Sequence, residues 1–146
     1  MSTTSTLDIV IDTNVVSEAL RPSPAEQVIR WLDAQEPRVF WTTTVTQAEV
    51  LYGIELLPHG KRRTNLADGA DRMFAKLFSG RILPFDEEAA HMYAKIVAAR
   101  KALARPISYP DAMIAAIARS RNAVVATRNT KDFEHCGIRI VNPWNE

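Results

Sequence analysis

Short apolar runs alternate with longer stretches of helical periodicity along this chain. Runs rich in β-branched residues are typical of buried strands, and five of them predict strands over residues 7–11, 38–42, 81–85, 123–126 and 138–141. Apolar residues at helical spacing predict helices over residues 15–21, 24–34, 46–57, 61–78, 87–103 and 110–121. Pro24 and Asp86 favour helix starts at their positions.

Strands that alternate with helices predict an α/β fold around a mainly parallel sheet. No internal repeat, low-complexity tract or linker interrupts the pattern, so residues 1–146 are interpreted as one domain. Sites in such sheets form beyond the carboxyl ends of the strands. Residues that follow the first strand and the strand at 123–126 are therefore expected at the same edge.

Four carboxylates stand where they could reach this edge. They are Asp12, Glu49, Asp111 and Asp132. The first three lie where an apolar run meets a helical pattern, and Asp132 follows the strand at 123–126. Acids brought together repel one another unless a cation neutralises them, and oxygen ligands suit Mg²⁺ or Mn²⁺. A cluster of this kind predicts a divalent metal site.

Each acid taken alone also has a structural interpretation. Asp12 is equally consistent with the N-cap of the following helix. Glu49 comes three residues after Thr46, which is the spacing of a capping box, and Asp111 stands in the same relation to Ser108. Capping does not explain why the acids follow this order in an alternating fold, nor why Asp111 begins an unusually apolar helix.

Composition narrows the function without deciding it. The chain has 47% hydrophobic and 24% charged residues, typical of globular proteins, and 18 basic against 17 acidic residues give no net charge that would favour nucleic acid. Cys136 alone cannot form an intrachain disulfide or a cysteine-based zinc site. The sequence contains no glycine-rich phosphate loop, membrane span or signal-peptide pattern, so a cytoplasmic location without membrane contact is expected.

Four segments together resemble the PIN-domain ribonucleases, and in particular the VapC toxins of type II toxin–antitoxin pairs, in their FitB-like branch. The segments are I-D-T-N-V-V-S-E, T-Q-A-E-V-L-Y-G-I, P-D-A-M-I-A-A-I-A and A-T-R-N-T-K-D-F. They occur in the family's order and spacing over about residues 7–143. The resemblance implies a three-layer α/β/α fold with a mainly parallel sheet of about five strands.

The resemblance also implies a metal-dependent endoribonuclease that hydrolyses phosphodiester bonds in tRNA or another structured RNA. Asp12, Glu49 and Asp111 would bind Mg²⁺ or Mn²⁺. Many relatives have a further aspartate where this chain has Asn129, and Asp132 is a common family position that could take the role, through water or directly. Asp132 is equally consistent with a helix cap or a surface loop.

Neighbouring polar residues are candidates for orienting the acids or contacting substrate. Thr13 and Thr127 could hydrogen-bond carboxylates, as residues behind metal ligands do, although a strand-end or turn hydroxyl is the alternative for both. Asn14 could contact substrate or cap a helix. Asn129 is a candidate neutral ligand or substrate contact, and Arg128 a candidate phosphate contact.

RNA binding requires basic groups for its phosphates. A solvated helix face is the preferred interpretation of two basic clusters, 61–63 and the set Arg100, Lys101 and Arg105. The better candidate is a cluster of four: Arg119, Arg121, Arg128 and Lys131. Trp41 and Tyr109 could stack on bases, but core packing is favoured for both.

By resemblance, the partners are a second copy of the chain and a VapB-type antitoxin that blocks the metal site, with operator DNA bound mainly through the antitoxin. Extra apolar surface for a dimer is offered by Trp31, Phe40, Leu51, Tyr52 and Leu56, although core burial explains most of it.

The competing functions are a non-catalytic PIN-like binding module and an aspartate phosphotransfer domain. The intact acid set disfavours the first, and the absence of a D-x-D motif at the first strand disfavours a HAD-type phosphotransferase.

Overall fold

Five short parallel strands form the centre of the computed structural model, which describes residues 7–146. The strands are β1 Ile9–Ile11, β2 Phe40–Thr43, β3 Ile82–Leu83, β4 Val124–Ala126 and β5 Ile140–Val141. Their order in the sheet is β3-β2-β1-β4-β5, and every neighbouring pair is parallel. The expected α/β fold with a parallel sheet of about five strands is confirmed.

Six α-helices cover the sheet within the described range. They are α1 Thr13–Ala19, α2 Glu26–Ala34, α3 Thr44–Glu55, α4 Lys61–Arg72, α5 Glu87–Ala102 and α6 Tyr109–Ser120. β1 shows how the three layers arise, because Ile9 and Ile11 belong to one buried apolar cluster and Val10 to another. Alternate side chains of a strand point to opposite faces, so each cluster packs helices against one face of the sheet.

The central position of β1 determines where a site can form. The chain passes from β1 outward to β2 and β3, then returns to β4 and β5 on the other side of β1. Parallel sheets with such a reversal open a crevice at the carboxyl ends of the strands where the order changes. Ile11 pairs with Ala126, so the residues that follow them, Asp12 and Thr127, are neighbours at this crevice.

Several predicted element boundaries differ from those observed. Pro24 was expected to start a helix, but α2 begins at Glu26 after an extended Ala25. The second strand begins at Phe40 rather than residue 38, because Pro37–Val39 forms a 3₁₀ turn. The long helix predicted over 61–78 ends as an α-helix at Arg72 and continues as a π turn, Met73–Leu77.

Four side chains expected in the core are exposed. Tyr52 and Leu56 on α3 are each 66% exposed and Leu51 is 42% exposed, so core burial does not account for this apolar stripe. Val50 and Ile54 already supply the buried side of α3. Tyr109 is also exposed, because it is the first residue of α6, ahead of the buried run that begins at Ala112.

Trp41 is partly buried against the second apolar cluster, in agreement with the core role favoured for it. The guanidinium of Arg121 lies 5.2 Å from its ring centroid. None of the helices between residues 7 and 146 combines the length and hydropathy needed to cross a bilayer.

Candidate active site

Asp12 lies at the carboxyl end of β1 and is the most buried acid of the predicted set, with 4% exposure. Its backbone N–H donates to the carbonyl of Ala126 at 3.0 Å and so extends the β1–β4 ladder by one residue. Although Asp12 occupies the N-cap position of α1, its side chain makes no capping hydrogen bond. The capping interpretation of this carboxylate is therefore wrong.

A polar network holds the Asp12 carboxylate from the β4 side. Thr127 Oγ1 donates to Asp12 Oδ2 at 2.8 Å, and Asn14 Nδ2 donates to the same oxygen at 3.3 Å. The Arg128 backbone N–H donates to Asn14 Oδ1 at 3.1 Å, and the Asn129 N–H donates to Thr127 Oγ1 at 3.1 Å. Thr127 is fully buried, so this network orients one oxygen of Asp12 rigidly.

Glu49 comes to the site on the first turns of α3. The N-cap of α3 is Thr43, whose side chain accepts from the Thr46 N–H at 3.0 Å. The capping box predicted for Thr46 and Glu49 is wrong, because the helix begins earlier than the sequence suggested. The exposed Glu49 carboxylate instead accepts from Thr13 Oγ1 at 2.7 Å, across the gap between α1 and α3.

Asp111 reaches the site on the first turn of α6. Ser108 caps this helix and accepts from the Asp111 N–H at 3.4 Å, as the spacing indicated. The carboxylate of Asp111 is half-buried, and its hydrogen bond with the Ser108 side chain lowers its pKa. The positive end of the α6 dipole favours its ionised form.

Asp132 lies on the 3₁₀ turn Thr130–Phe133, and its side chain is exposed. Its negative charge raises the pKa of Asp111, so the protonation of Asp111 depends on the charge of Asp132. Asn129, the other candidate for the fourth ligand, is exposed and contributes its backbone N–H to the Thr127 contact.

The acids influence one another's protonation. Burial raises the pKa of Asp12 from 3.8 to about 6; the hydrogen bond from Thr127 lowers it, and the charges of Asp111 and Glu49 raise it further. Burial is also the largest cause that raises the pKa of Asp111, with the Ser108 hydrogen bond opposing it and Asp132 and Glu49 adding to it. Between residues 7 and 146, no three acidic, histidine or cysteine side chains are already grouped closely enough to hold a metal.

The basic clusters differ from their predictions in two ways. Arg119 and Arg121 lie at the carboxyl end of α6, whereas Asp111 lies in its first turn, so only Arg128 and Lys131 remain beside the acids. Arg119 lines a cavity with Leu7, at the opposite edge of the sheet. The predicted cluster of four is therefore wrong. Arg119 and Arg121 lie at the end of α6, before β4 begins, whereas Arg128 and Lys131 follow the other end of β4.

Arg100 is buried, with 5% exposure, and does not lie on a solvated helix face. Its burial could not be predicted from sequence, because helix α5 is rich in alanine and its periodicity does not distinguish the buried face. Its positive charge lowers the pKa of Asp111. Lys101 and Arg105, the other members of that cluster, are exposed as expected.

A groove of about 820 Å³ runs from Glu49 between α1, α3 and α4. Its floor is apolar and formed by six residues: Leu20, Pro22, Val50, Ile54, Leu57 and Leu66. Arg21, Lys61 and Arg62 give its rim positive charge. Gly53 also lines the groove, and a Cβ added there would meet no atom within 4 Å.

The fold is that of an α/β protein with acidic residues near the carboxyl ends of its parallel strands and without a glycine-rich nucleotide loop. A family model described as PIN domain matches residues 9–138. The chain therefore belongs to the PIN-domain family, in the group of VapC- and FitB-like proteins.

Three similar proteins illustrate the group. The chain is 40% identical to toxin FitB of Neisseria gonorrhoeae over 138 residues, which are 94% of this chain and 99% of the relative. It is 39% identical to VapC ribonuclease Y4jK of Sinorhizobium fredii over 136 residues, which are 93% and 97% of the two chains. The solved structure of FitAB bound to the IR36 DNA fragment superposes with a TM-score of 0.87 at 40% identity, covering 93% of this chain and 95% of the other.

The raised pKa of Asp12 predicts how the metal-free protein responds to pH. The folded state holds this proton more tightly than the unfolded chain, so the stabilising contribution of protonated Asp12 is fully present below about pH 4 and is lost as the pH rises through about 6. Asp12→Asn removes the buried charge, while its amide oxygen can accept the same bonds from Thr127 and Asn14. The substitution should raise the free energy of unfolding by ~1–3 kcal/mol at pH 7.

The measurement is urea unfolding of both proteins in EDTA at pH 4 and pH 7. The gain should be much smaller at pH 4, where the wild-type carboxyl is protonated in the folded state and only partly ionised in the unfolded chain, whose pKa is 3.8. An equal difference at the two pH values, or destabilisation at pH 7, would contradict the assignment of a buried charge at Asp12.

Proposed function

We propose that this chain is the toxin of a type II toxin–antitoxin pair and a Mg²⁺-dependent endoribonuclease that acts on structured RNA in the cytoplasm. The observation that carries the proposal is the buried Asp12 carboxylate at the carboxyl end of β1, which Thr127 and Asn14 hold and whose pKa the charges of Asp111 and Glu49 raise. The names of the similar proteins, a toxin and a ribonuclease, support the same activity.

The donor set suits a hard divalent cation. All four candidate ligands offer carboxylate oxygens, which Mg²⁺ and Mn²⁺ prefer, and no thiol or imidazole belongs to the set. When bound, the cation would lower the pKa of a water and stabilise the charge that develops during phosphodiester hydrolysis. Glu49 and Asp132 are exposed, so their side chains have the freedom to turn toward the more buried Asp12 and Asp111.

The protein's own residues would have distinct tasks. Asp12 and Asp111 are the proposed fixed ligands, because the β1–β4 ladder and the first turn of α6 hold them. Glu49 is proposed as a ligand or as the base that takes a proton from the attacking water, and Thr13 orients it. Thr127 and Asn14 orient Asp12, as residues behind metal ligands commonly do.

Substrate phosphates would approach from the β4 side of the crevice. The Arg128 guanidinium lies 4.9 Å from the ring centroid of Trp144, a stacked arrangement that orients it beside the site. Lys131 and Asn129 are exposed on the same segment. These three residues form the proposed phosphate and sugar contacts.

RNA cleavage tests the assignment directly. A pool of structured RNA, including tRNA, is incubated with the protein and Mg²⁺ or Mn²⁺, and the cut ends are mapped by sequencing. Asp12→Asn should reduce cleavage by at least about 100-fold, because it removes a negative ligand from the centre of the site. EDTA should abolish cleavage, and excess Mg²⁺ should restore it.

The matched control is Asp33→Asn, which removes an exposed acid from α2 and should cleave as the wild type does. Cleavage that persists in EDTA or in purified Asp12→Asn protein would contradict the metal-dependent assignment. A folded, RNA-binding protein without cleavage under any metal would favour the non-catalytic module instead.

We also propose that the antitoxin reaches the acids through the groove beside Glu49. Its apolar floor and basic rim suit an extended peptide with apolar and acidic side chains, and its open end lies at a candidate ligand. Operator DNA would then be bound mainly by the antitoxin, since the net charge of +1 gives this chain little general attraction for DNA.

Gly53 offers a way to fill this groove without disturbing the packed core. Gly53→Trp should weaken the toxin–antitoxin complex by at least about 10-fold, since a large ring would occupy the groove, while RNA cleavage is retained. The probe is a VapB-type protein selected because it restores growth to cells expressing the wild-type chain, and affinity is measured by calorimetry. Gly53→Ala, which adds only a methyl group, is the control; equal binding by both variants would place the antitoxin elsewhere.

The exposed stripe Leu51, Tyr52 and Leu56 on α3 is the proposed homodimer surface. Apolar side chains exposed together on one helix favour burial against a second copy of the same surface. Tyr52→Glu should convert a dimer into a monomer in sedimentation experiments at micromolar concentration, because two carboxylates would face each other across the two-fold axis. Leu103→Glu, at an exposed apolar residue after α5, should remain dimeric; dissociation by this variant instead would move the interface to α5.

A further inference from the structure

The buried side chain of Arg100 connects two segments that are distant in sequence. Its Nε donates to the carbonyl of Arg105 at 2.7 Å, and its Nη1 donates to the carbonyls of Asp132 and Glu134 at 2.9 Å each. Nη1 also lies 3.6 Å from the buried Sγ of Cys136. One guanidinium therefore contacts the connection before α6 and the turn that follows β4.

These two segments carry two of the candidate metal ligands. Arg105 lies three residues before Ser108, the cap that begins the helix of Asp111. Asp132, whose backbone carbonyl accepts from Arg100, is also the residue whose negative charge raises the pKa of Asp111. A planar guanidinium presents its donors in a fixed geometry, so the contacts of Arg100 define the separation of the two segments.

The choice of a charged residue at this position is unusual. Arg100 is 5% exposed, and its direct partners are neutral carbonyls and a thiol; no ion pair in the described part of the chain includes it. A buried charge without an ion pair is costly, and packing alone is served as well by an apolar side chain. A functional need for the fixed geometry of the guanidinium, in binding a cation nearby, would explain why the fold tolerates the free-energy cost of this buried charge.

We propose that Arg100 is a positioning residue that, by holding the backbone of Asp132 against the segment leading to Asp111, sets the separation at which these two carboxylates bind one divalent ion. The proposal rests on the function proposed above and deepens it, since it gives a structural reason why Asp132 rather than Asn129 would be the fourth ligand of the site. It also assigns a task to a residue that contacts neither metal nor RNA.

Mn²⁺ binding tests the proposal without requiring catalysis. The affinity of the metal-free protein for Mn²⁺ is measured by calorimetry, and the bound ion by electron paramagnetic resonance. Arg100→Lys keeps the positive charge but cannot bridge the three carbonyls, so it should weaken Mn²⁺ binding by about 10-fold or more and alter the spectrum. In cleavage assays at saturating Mn²⁺, kcat should fall while KM for RNA stays within about twofold. Lys101→Gln, at the exposed neighbouring residue, is the matched control and should match the wild type.

A double-mutant cycle shows whether Arg100 acts through Asp132. Asp132→Asn alone should weaken Mn²⁺ binding by a similar factor, and adding Arg100→Lys to it should cost less than about twofold more. Asn129→Ala should leave Mn²⁺ affinity unchanged. Full additivity of the two losses would overturn the proposal, as would wild-type affinity in either single variant.

Circular dichroism and thermal unfolding establish which variants are folded. Arg100→Gln, which leaves no uncompensated buried charge, replaces Arg100→Lys if the latter unfolds, with the same expected loss. If neither folds, the Asp132→Asn result decides alone, because undiminished Mn²⁺ binding there excludes Asp132 as a ligand. The proposed nuclease function fails separately, if the wild type binds Mn²⁺ but cleaves no RNA, or if Asp12→Asn still cleaves.

Discussion

The position of a buried carboxylate, Asp12, is the constraint on which the other features of the site depend. Burial raises its pKa to about 6, so at neutral pH the fold holds a charge in a place that disfavours it. The contacts that offset this cost come from Thr127 and Asn14, and they exist only because Ile11 pairs with Ala126 in the β1–β4 ladder. A shift of one residue in that register would turn Thr127 to the other face of the sheet and leave the carboxylate without its closest donor.

Features encoded by local patterns could be predicted from the sequence. β1 is a short β-branched run, and α6 begins with a serine cap, a proline and an acid, so the placement of Asp12 and Asp111 follows from neighbouring residues. Features decided by distant contacts could not. Arg100 is buried because the turns after α5 and β4 supply its acceptors, and Tyr52 is exposed because Val50 and Ile54 already fill the core beneath α3. The start of α3 at Thr44 was missed because either Thr43 or Thr46 could have capped it.

The neutral residue at position 129 is consistent with the charge balance around Asp12. The Asn129 N–H contacts Thr127, the residue that donates to Asp12, so its side chain begins close to the buried carboxylate. Another negative charge there would raise the pKa of Asp12 beyond the effect of Asp111 and Glu49. Asp132 lies on the following turn and acts on Asp111, which is only half-buried. With an acid at position 132 rather than 129, its repulsion acts on Asp111 instead of adding to the repulsion on the more buried Asp12.

The same balance explains why a buried arginine and a cluster of acids occur together. Without a bound cation, the acids destabilise the folded state through repulsion and loss of solvation, and Arg100 is the positive group inside the fold that lowers the pKa of Asp111. A single guanidinium cannot neutralise four carboxylates, so a net negative charge remains to attract a divalent ion. An apolar residue at position 100 would remove both the fixed loop geometry and this partial compensation. Under the proposed function, binding of a divalent ion would recover the stability given up at the site, because a ligand that binds only the folded state stabilises it.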